Sequence, residues 1–178
     1  MSANRTFLLM GSGEFEPWTE EVERASLEGR PDSVAIVPTA SAPEGDAVFD
    51  RWANMGLEHY AAFGVDACVV PLKTREDAER DEIAAAIADV GMIFFSGGNP
   101  RYLADTIDGT LFWYEMNAAF DRGTGFAGCS AGPMVQVTAP TADRRSGRPG
   151  SRVSASCRTA RSASTGTGCG SSRACEAS

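Results

Sequence analysis

The amino-acid sequence predicts an α/β fold, a three-layer sandwich with a mainly parallel β-sheet between two layers of helices. Two observations lead to this prediction. From residue 6 to about residue 137, short apolar segments alternate with segments of helical period, as in a parallel sheet connected by crossover helices. The apolar segments are also hydrophobic on both faces, as strands buried under helices are.

Five short apolar segments, each ended by Gly, Ser or Pro, predict the strands. In chain order they are TFLLMGSG, SVAIVPTAS, VDACVVPL, GMIFFSGG and TGFAGCS, beginning at residues 6, 33, 65, 91 and 124. In a parallel sheet the carboxyl ends of the strands share one edge, where ligands of such folds bind. Residues that follow these strands are therefore the first candidates for a site.

Five further segments have the apolar spacing of helices. The first, TEEVERASLEG, opens on Thr19 as a helix cap and ends at Gly29. The others are GDAVFDRWANMGLEHYAAFG, REDAERDEIAAAIADVG, NPRYLADTI and LFWYEMNAAFDRG. The expected buried stripe of the second helix is Val48, Trp52, Met55 and Phe63, and that of the third is Ile83, Ala86, Ile87 and Val90.

The charge balance narrows the range of partners. The chain carries 16 Lys and Arg against 24 Asp and Glu, a formal net charge of −8. Nucleic acid or an anionic membrane would require a basic patch, so we expect neither and favour small molecules or peptides. The apolar run near the N-terminus, Phe7–Met10, is too short for a signal peptide or a spanning helix, and we expect a cytoplasmic protein.

The C-terminal segment differs in composition from the rest of the chain. From Thr138 to Ser178 there is no Leu, Ile, Phe, Met, Trp, Tyr, Lys or His, and Val153 is the one large aliphatic residue. Residues 141–178 contain seven Arg against Asp143 and Glu176, so the sign of the charge also changes. We expect residues 1–137 to form the α/β domain and residues 138–178 to be a Ser-, Arg-, Gly- and Thr-rich tail.

This tail has two interpretations. Its composition is that of a disordered segment. Alternatively it is a frameshifted translation that begins between about residues 137 and 143, because all its residues except Asp143, Val153 and Glu176 have G or C as the middle codon base. The C-terminal part of the fold would then be missing or non-native, and the other reading frames of the coding DNA test this. A sheet that stops early has an open edge, which favours aggregation or a homodimer.

One serine stands between two glycines in the stretch GFAGCSAGPM, which gives the pattern Gly128-x-Ser130-x-Gly132. G-x-S-x-G is the pattern of a nucleophile elbow, a tight strand-to-helix turn where the serine backbone is strained and the glycines avoid clashes. The apolar strand before it and AGPMVQV after it fit this context, since Pro133 is tolerated in a first helical turn. A turn of small residues for close packing is the alternative.

A second glycine-rich loop follows the fourth predicted strand at Ser96–Asn99, within FFSGGNPRYL. Adjacent glycines let backbone N–H groups approach a bound oxyanion closely. At the elbow, the N–H of Ala131 is an oxyanion donor near the positive end of a helix dipole. Asn99 before Pro100 is also a helix cap, and both roles can hold together.

The motifs LLMGSGE, VAIVPTASA, IFFSGGNPRYL and GFAGCSAGPMV, in this order and spacing, resemble the S51 family of serine peptidases. That family includes the aspartyl dipeptidases (dipeptidase E) and the cyanophycinases, and its fold is flavodoxin-like, as in class I glutamine amidotransferases. The resemblance covers residues 6 to about 137. It implies Ser130 as the nucleophile, the N–H groups of Gly98 and Ala131 as the oxyanion hole, and hydrolysis of small aspartyl peptides without metal or organic cofactor.

The chain departs from that family in its histidine. A serine hydroxyl is activated by an imidazole that a third group holds in place, and in the family this histidine follows the serine. Here the one histidine is His59 in the second helix, which we expect to be packed or half exposed. Asp143 lies near where a family acid could fall, but at the suspected frame change. The alternative is therefore a catalytically inactive, truncated family member that at most binds a ligand.

Four residues near the two loops have weaker assignments. Glu14 either binds substrate or is a solvated loop acid, and Arg101 either binds a substrate carboxylate or is exposed on its helix. Asn99 is the third substrate-binding candidate. Cys129, the residue before Ser130, is expected to be a buried small hydrophobe rather than the nucleophile. The five cysteines include no CxxC pair and have no histidine at metal-ligand spacing, so we expect no metal.

Overall fold

The computed structural model of the chain describes residues 5–133. Residues 134–178, with the predicted tail, the domain end at residue 137 and most of the helix expected after Ser130, lie outside the described residues. Within the described part, strands and helices alternate as predicted. Their bounds are β1 Phe7–Met10, α1 Glu20–Leu27, β2 Ser33–Val37, α2 Asp46–Ala62, β3 Asp66–Val69, α3 Asp81–Ala85, β4 Met92–Phe95, α4 Pro100–Ile107, α5 Leu111–Arg122 and β5 Gly125–Cys129.

The five strands form one parallel sheet in the order β1-β5-β4-β2-β3. β5 lies inside the sheet, where Gly128 is opposite Leu9 of β1 on one side and Phe95 of β4 on the other. Because all four pairs are parallel, the segments that follow β1, β4 and β5 meet at the carboxyl edge of the sheet. The predicted α/β fold with a mainly parallel sheet is confirmed.

Helices cover both faces of the sheet. The even-numbered residues of β2 and β4 pack in one core layer with residues of α1 and α2, such as Leu27 and Tyr60. The odd-numbered residues of the same strands pack in a second layer with residues of α3, α4 and α5, such as Leu103 and Phe112. This alternation produces the three layers that the two-faced apolar strands predict.

The buried face of α2 differs by about one position from the predicted stripe. A Cβ added to Gly56 would lie 2.8 Å from Ile36 Cδ1 and 2.9 Å from Phe15 Cζ, so the helix approaches the sheet closely at this glycine. Met55, predicted to be buried, is exposed. The predicted stripe followed the large apolar side chains, whereas a small residue, Gly56, makes the closest contact between the helix and the sheet. The residues that α2 buries are Phe49, Ala53, Gly56 and Tyr60.

Three local predictions need correction. In β1, Phe7 and Leu9 are exposed, so one face of this edge strand is open within residues 5–133. Thr19 does precede α1, but its hydroxyl donates to the carbonyl of Glu16 at 2.8 Å instead of capping the helix. The third predicted helix is shorter than expected because i→i+3 bonds replace the helical ladder after Ala85.

Candidate active site

Ser130 follows β5 directly and is exposed at the carboxyl edge of the sheet. Its φ is +51°, in the left-handed region, where a non-glycine residue has a backbone strain of about 1–3 kcal/mol. Among the described residues, Phe15 is the other non-glycine residue with positive φ. The N–H of Ser130 donates to the carbonyl of Met10 at 2.9 Å, which fixes the turn to β1. The strained serine conformation predicted from the elbow pattern is therefore present.

The two glycines of the pattern are required by close packing. A Cβ on Gly128 would lie 3.1 Å from the carbonyl carbon of Gly132, and a Cβ on Gly132 would lie 2.5 Å from the carbonyl oxygen of Phe95. The second distance is too short for any side chain. The chain thus turns back against β4 immediately after Ser130, which leaves the serine at the outside of the turn.

The loop Ser96–Asn99, here called the glycine loop, follows β4 and lies against the elbow. A Cβ on Gly97 would be 3.4 Å from the Cβ of Ser130, so the two segments, which were predicted to share the carboxyl edge, are in contact. Gly98 has a φ of +142°, and a Cβ there would lie 2.4 Å from the carbonyl oxygen of Ala40. Ala40 belongs to a 3-10 turn after β2, Thr39–Glu44. No side chain fits at Gly98 without moving this turn.

The backbone N–H groups of the two segments have the same alternating pattern. In the glycine loop, the N–H of Gly97 donates to Glu14 at 2.9 Å and the N–H of Asn99 donates to Ala40 at 2.7 Å. In the elbow, the N–H groups of Ser130 and Gly132 are both bonded to carbonyl oxygens at 2.9 Å. Between these pairs, the N–H groups of Gly98 and Ala131 have no acceptor among residues 5–133.

Glu14 lies inside the structure, so its interpretation as a solvated loop acid is wrong. It is 7% exposed, and its Oε2 accepts the N–H of Gly97, while its Oε1 has no hydrogen-bond partner among the described residues. Burial raises the pKa of the Glu14 carboxyl above its usual range, although the Gly97 N–H and the Cys129 thiol act in the opposite direction. No local pattern signals this burial beyond the tight turn that Gly13 permits.

Cys129 is buried in the core layer beneath the elbow, as predicted. Burial, with a further contribution from Glu14, raises the pKa of its thiol to about 11. At neutral pH the group is therefore a protonated thiol, which is a poor nucleophile. The geometry favours Ser130 over Cys129 as the reactive side chain of the elbow.

His59 lies in a buried polar cluster between α1 and α2. Its Nε2 is 2.7 Å from Oε2 of Glu23, and both side chains are almost fully buried. The hydroxyl of Thr19 is 3.4 Å from the same nitrogen. Burial raises the pKa of the adjacent Tyr60 hydroxyl well above its usual range, and Glu23 adds to this effect. The sequence predicts a packed or half-exposed histidine but not its contact with Glu23, whose place on the buried side of α1 has no sequence signal.

The family of the chain follows from comparison with known proteins. The chain matches the model of peptidase family S51 over residues 7–157. The chain belongs to peptidase family S51. The matched range begins at β1 and extends past residue 137, where the sequence analysis ends the domain, so that boundary stays a prediction.

Two solved structures are similar to this S51 chain. A peptidase from an acI-B1 Actinobacterium is 34% identical, with a TM-score of 0.71, over 74% of this chain and 56% of that chain. A putative peptidase E from Listeria monocytogenes EGD-e is 17% identical, with a TM-score of 0.53, over 77% of this chain and 68% of that one, which shows the fold alone. The S51 chain thus spans little more than half of the actinobacterial peptidase. No curated protein matches it significantly.

Two predicted substrate-binding residues of this S51 chain have structural partners in α4. Asn99 is the N-cap, and its Oδ1 accepts the N–H of Tyr102 at 3.0 Å, so the predicted cap is present. The side chain of Arg101 is 90% exposed and lies 3.6 Å from Asp105, as an exposed helix arginine does. Contact of either side chain with substrate stays a prediction.

Two further findings on this S51 chain concern metal-binding side chains and membrane-spanning helices. Within residues 5–133, no group of three or more His, Cys, Asp or Glu side chains is placed to hold a metal ion. None of the helices described there combines the length and apolarity needed to cross a membrane.

Proposed function

We propose that the chain is a serine peptidase of the S51 type that hydrolyses small aspartyl peptides through an acyl-enzyme on Ser130. One observation carries the proposal. Ser130 is exposed and strained, and its own segment and the adjacent glycine loop each contain one N–H, at Ala131 and Gly98, that has no acceptor within residues 5–133 although its neighbours are paired. The preference for aspartyl peptides rests on the family resemblance alone.

The chemistry that this geometry supports is acyl transfer. Oγ of Ser130 attacks the peptide carbonyl carbon, and the carbonyl oxygen takes the negative charge. The N–H groups of Gly98 and Ala131 are the donors for that oxygen, and because the fold fixes both loops they need no reorganisation when the charge forms. Cleavage of the C–N bond transfers the serine proton to the leaving amine through a base, and water then releases the acyl group.

The proton acceptor is the missing part of this scheme. Within residues 5–133, no hydrogen bond joins the Ser130 hydroxyl to an imidazole or a carboxylate. The one histidine of the chain, His59, is paired with Glu23. This observation favours a second candidate function, in which the chain binds a peptide at the elbow without turning it over.

A fluorophosphonate probe separates the two candidates. We expect the full chain to be labelled at Ser130, as located by peptide mapping, and to cleave an Asp-X dipeptide. The Ser130→Ala variant should lose both signals, whereas Ser12→Ala, which removes an exposed serine from the loop after β1, should keep them. Absence of labelling and cleavage, with calorimetric binding of the dipeptide that Ser130→Ala retains, would support the second candidate and contradict the first.

A further inference from the structure

The turn after β1 places one acid against the glycine loop. Gly13 and Phe15 both have positive φ, at +79° and +62°, so the chain reverses sharply around Glu14. The strained Phe15 is held by packing, since its ring lies 4.8 Å from that of Phe94. This turn directs Glu14 inward while its neighbour Glu16 stays exposed.

The carboxyl group of Glu14 and the nucleophile candidate contact the same glycine. Oε2 of Glu14 accepts the N–H of Gly97 at 2.9 Å. A Cβ on Gly97 would lie 3.3 Å from that oxygen and 3.4 Å from the Cβ of Ser130. Gly97 therefore lies between the carboxyl group of Glu14 and the side chain of Ser130.

Glu14 supplies one of three hydrogen bonds that attach the N–H groups of this loop. The other two run from the N–H of Ser96 to Val37 at 3.3 Å and from the N–H of Asn99 to Ala40 at 2.7 Å. The unpaired N–H of Gly98 lies between the anchored residues Gly97 and Asn99. We propose that Glu14 is a positioning residue, whose hydrogen bond to Gly97 holds the peptide that follows so that the N–H of Gly98 is available to the oxyanion. The proposal rests on the proposed function, because it assigns Glu14 to the oxyanion hole of that reaction.

The acceptor oxygen, rather than the charge, is the part of Glu14 that this role needs. Burial favours the neutral form of the carboxyl group, and a neutral carboxyl still accepts through its carbonyl oxygen. A negative charge beside an oxyanion would also oppose the reaction by Coulomb repulsion. Glutamine, which keeps a carbonyl oxygen at the same distance along the side chain, should therefore replace Glu14, whereas a side chain without that oxygen should not.

Two variants of equal side-chain length test this role in the full chain. Glu14→Met removes the acceptor and keeps most of the volume, and Glu14→Gln keeps the acceptor. We expect Glu14→Met to slow fluorophosphonate labelling of Ser130 by about tenfold, the effect of one lost hydrogen bond, and Glu14→Gln to stay within about twofold to threefold of the unmodified chain. Glu16→Met, two residues away and exposed, should have no effect. Equal loss in Met and Gln, or no loss in Met, would overturn the proposal.

Amide hydrogen exchange provides a second readout that does not depend on labelling and that begins with the unmodified chain. In the unmodified chain, the N–H groups of Gly97 and Asn99 should be protected and that of Gly98 should exchange faster. Protection of the Gly97 N–H should fall in Glu14→Met and persist in Glu14→Gln. Equal exchange at Gly97 and Gly98 would contradict the positioning role even if Glu14→Met failed to fold. Absence of labelling with this exchange pattern intact would contradict the proposed function and leave the hydrogen bond of Glu14 established.

Discussion

Two regions of the molecule each bury a glutamate, and they use it differently. At the carboxyl edge of the sheet, Glu14 accepts a backbone N–H beside the exposed Ser130. Between α1 and α2, Glu23 pairs with His59, and that pair is almost fully buried. In both regions one carboxylate oxygen has no hydrogen-bond partner among the described residues. The first region combines a buried acid with the exposed side chain of Ser130, whereas the second is closed.

The one imidazole of the chain, that of His59, lies in the closed region and is paired with Glu23. The Glu23–His59 pair has the residue types of a base and its orienting acid. The described hydrogen bonds of His59, however, are with Glu23 of α1 and with Thr19, rather than with Ser130. The carboxyl edge instead consists of backbone N–H groups, glycines and one carboxyl group. We therefore expect variants of the Glu23–His59 pair to change stability and variants of the carboxyl edge to change the reactivity of Ser130.

The largest effect on stability should come from Glu23→Ala. This variant leaves the imidazole of His59 buried without its hydrogen-bond partner, and an unsatisfied buried polar group costs about 1–3 kcal/mol of unfolding free energy. Urea unfolding measures this loss. Labelling of Ser130 in the folded fraction should stay within about twofold, since no hydrogen bond of the site changes.

The control for this variant lies on the same helix. Glu20→Ala removes an exposed acid that is bonded to Arg24 at 2.9 Å, and exposed pairs of this kind contribute about 1 kcal/mol or less. If Glu23→Ala were no more destabilising than Glu20→Ala, the description of the second region as a structural pair would be wrong.

Gly98→Ala should have the largest effect on the carboxyl edge. The new Cβ would lie 2.4 Å from Ala40 O, which forces the glycine loop or the neighbouring turn to move. Loss of one oxyanion donor slows acyl transfer by about a hundredfold or more, and we expect a comparable fall in the labelling rate of Ser130.

Gly109→Ala is the matched control, since Gly109 has a φ of +67° but no atom within 4 Å of an added Cβ. Like the first variant, it places a side chain at a positive φ, but it lies outside the site. Similar loss of labelling in both variants would show that strain, and not the oxyanion donor, explains the effect.

A smaller effect on the unfolding free energy should follow from the protonation of the Glu14 carboxyl group. Its pKa is raised by burial, so the native state favours the protonated form and loses stability as pH rises from the unfolded-state value of about 4.3 through the raised native value. Glu14→Gln cannot ionise. The unfolding free energy of this variant relative to the unmodified chain should therefore increase with pH across that window, by about 1.4 kcal/mol for each pH unit between the unfolded-state and native pKa values.

Urea titrations at several pH values measure this difference. Glu16→Gln, at an exposed acid in the same turn, should show little of it. A flat difference for Glu14→Gln would mean that burial does not perturb the Glu14 carboxyl.

Arg101→Ala should have the smallest effect. Its side chain is 90% exposed and its partner Asp105 is exposed too, so the unfolding free energy should change by less than about 0.5 kcal/mol. The labelling rate should not change either. A rise in KM for an Asp-X dipeptide at constant kcat would instead assign Arg101 to the substrate carboxylate.

Local patterns in the sequence were sufficient for the strands and for the conformation of the elbow. Runs such as MIFF are apolar at every position, which requires cover on both faces, and a glycine two residues before and two residues after Ser130 is typical of a tight turn that leaves no room for side chains there. The buried face of α2 was displaced because Gly56, a residue without a side chain, makes the closest contact with the sheet. Apolar periodicity weighs side-chain size and therefore misses such a contact.

Polar contacts over long separations could not be predicted in the same way. Glu14 and Gly97 are 83 positions apart, and Glu23 and His59 are 36 apart. A glutamate in a loop or on a helix has the local pattern of a solvated residue whether or not the fold later buries it. Only the folded structure shows which distant residue each glutamate contacts.

The central claim is that Ser130 of the elbow is the nucleophile of the chain and that its reactivity does not depend on His59. The rate of fluorophosphonate labelling, measured on the full chain and on His59→Gln, tests it most directly, because glutamine keeps a donor for Glu23. We predict labelling at Ser130 in both proteins, with rates within about twofold of each other. Absence of labelling in the unmodified chain, or its loss in His59→Gln with the fold intact, would contradict the claim.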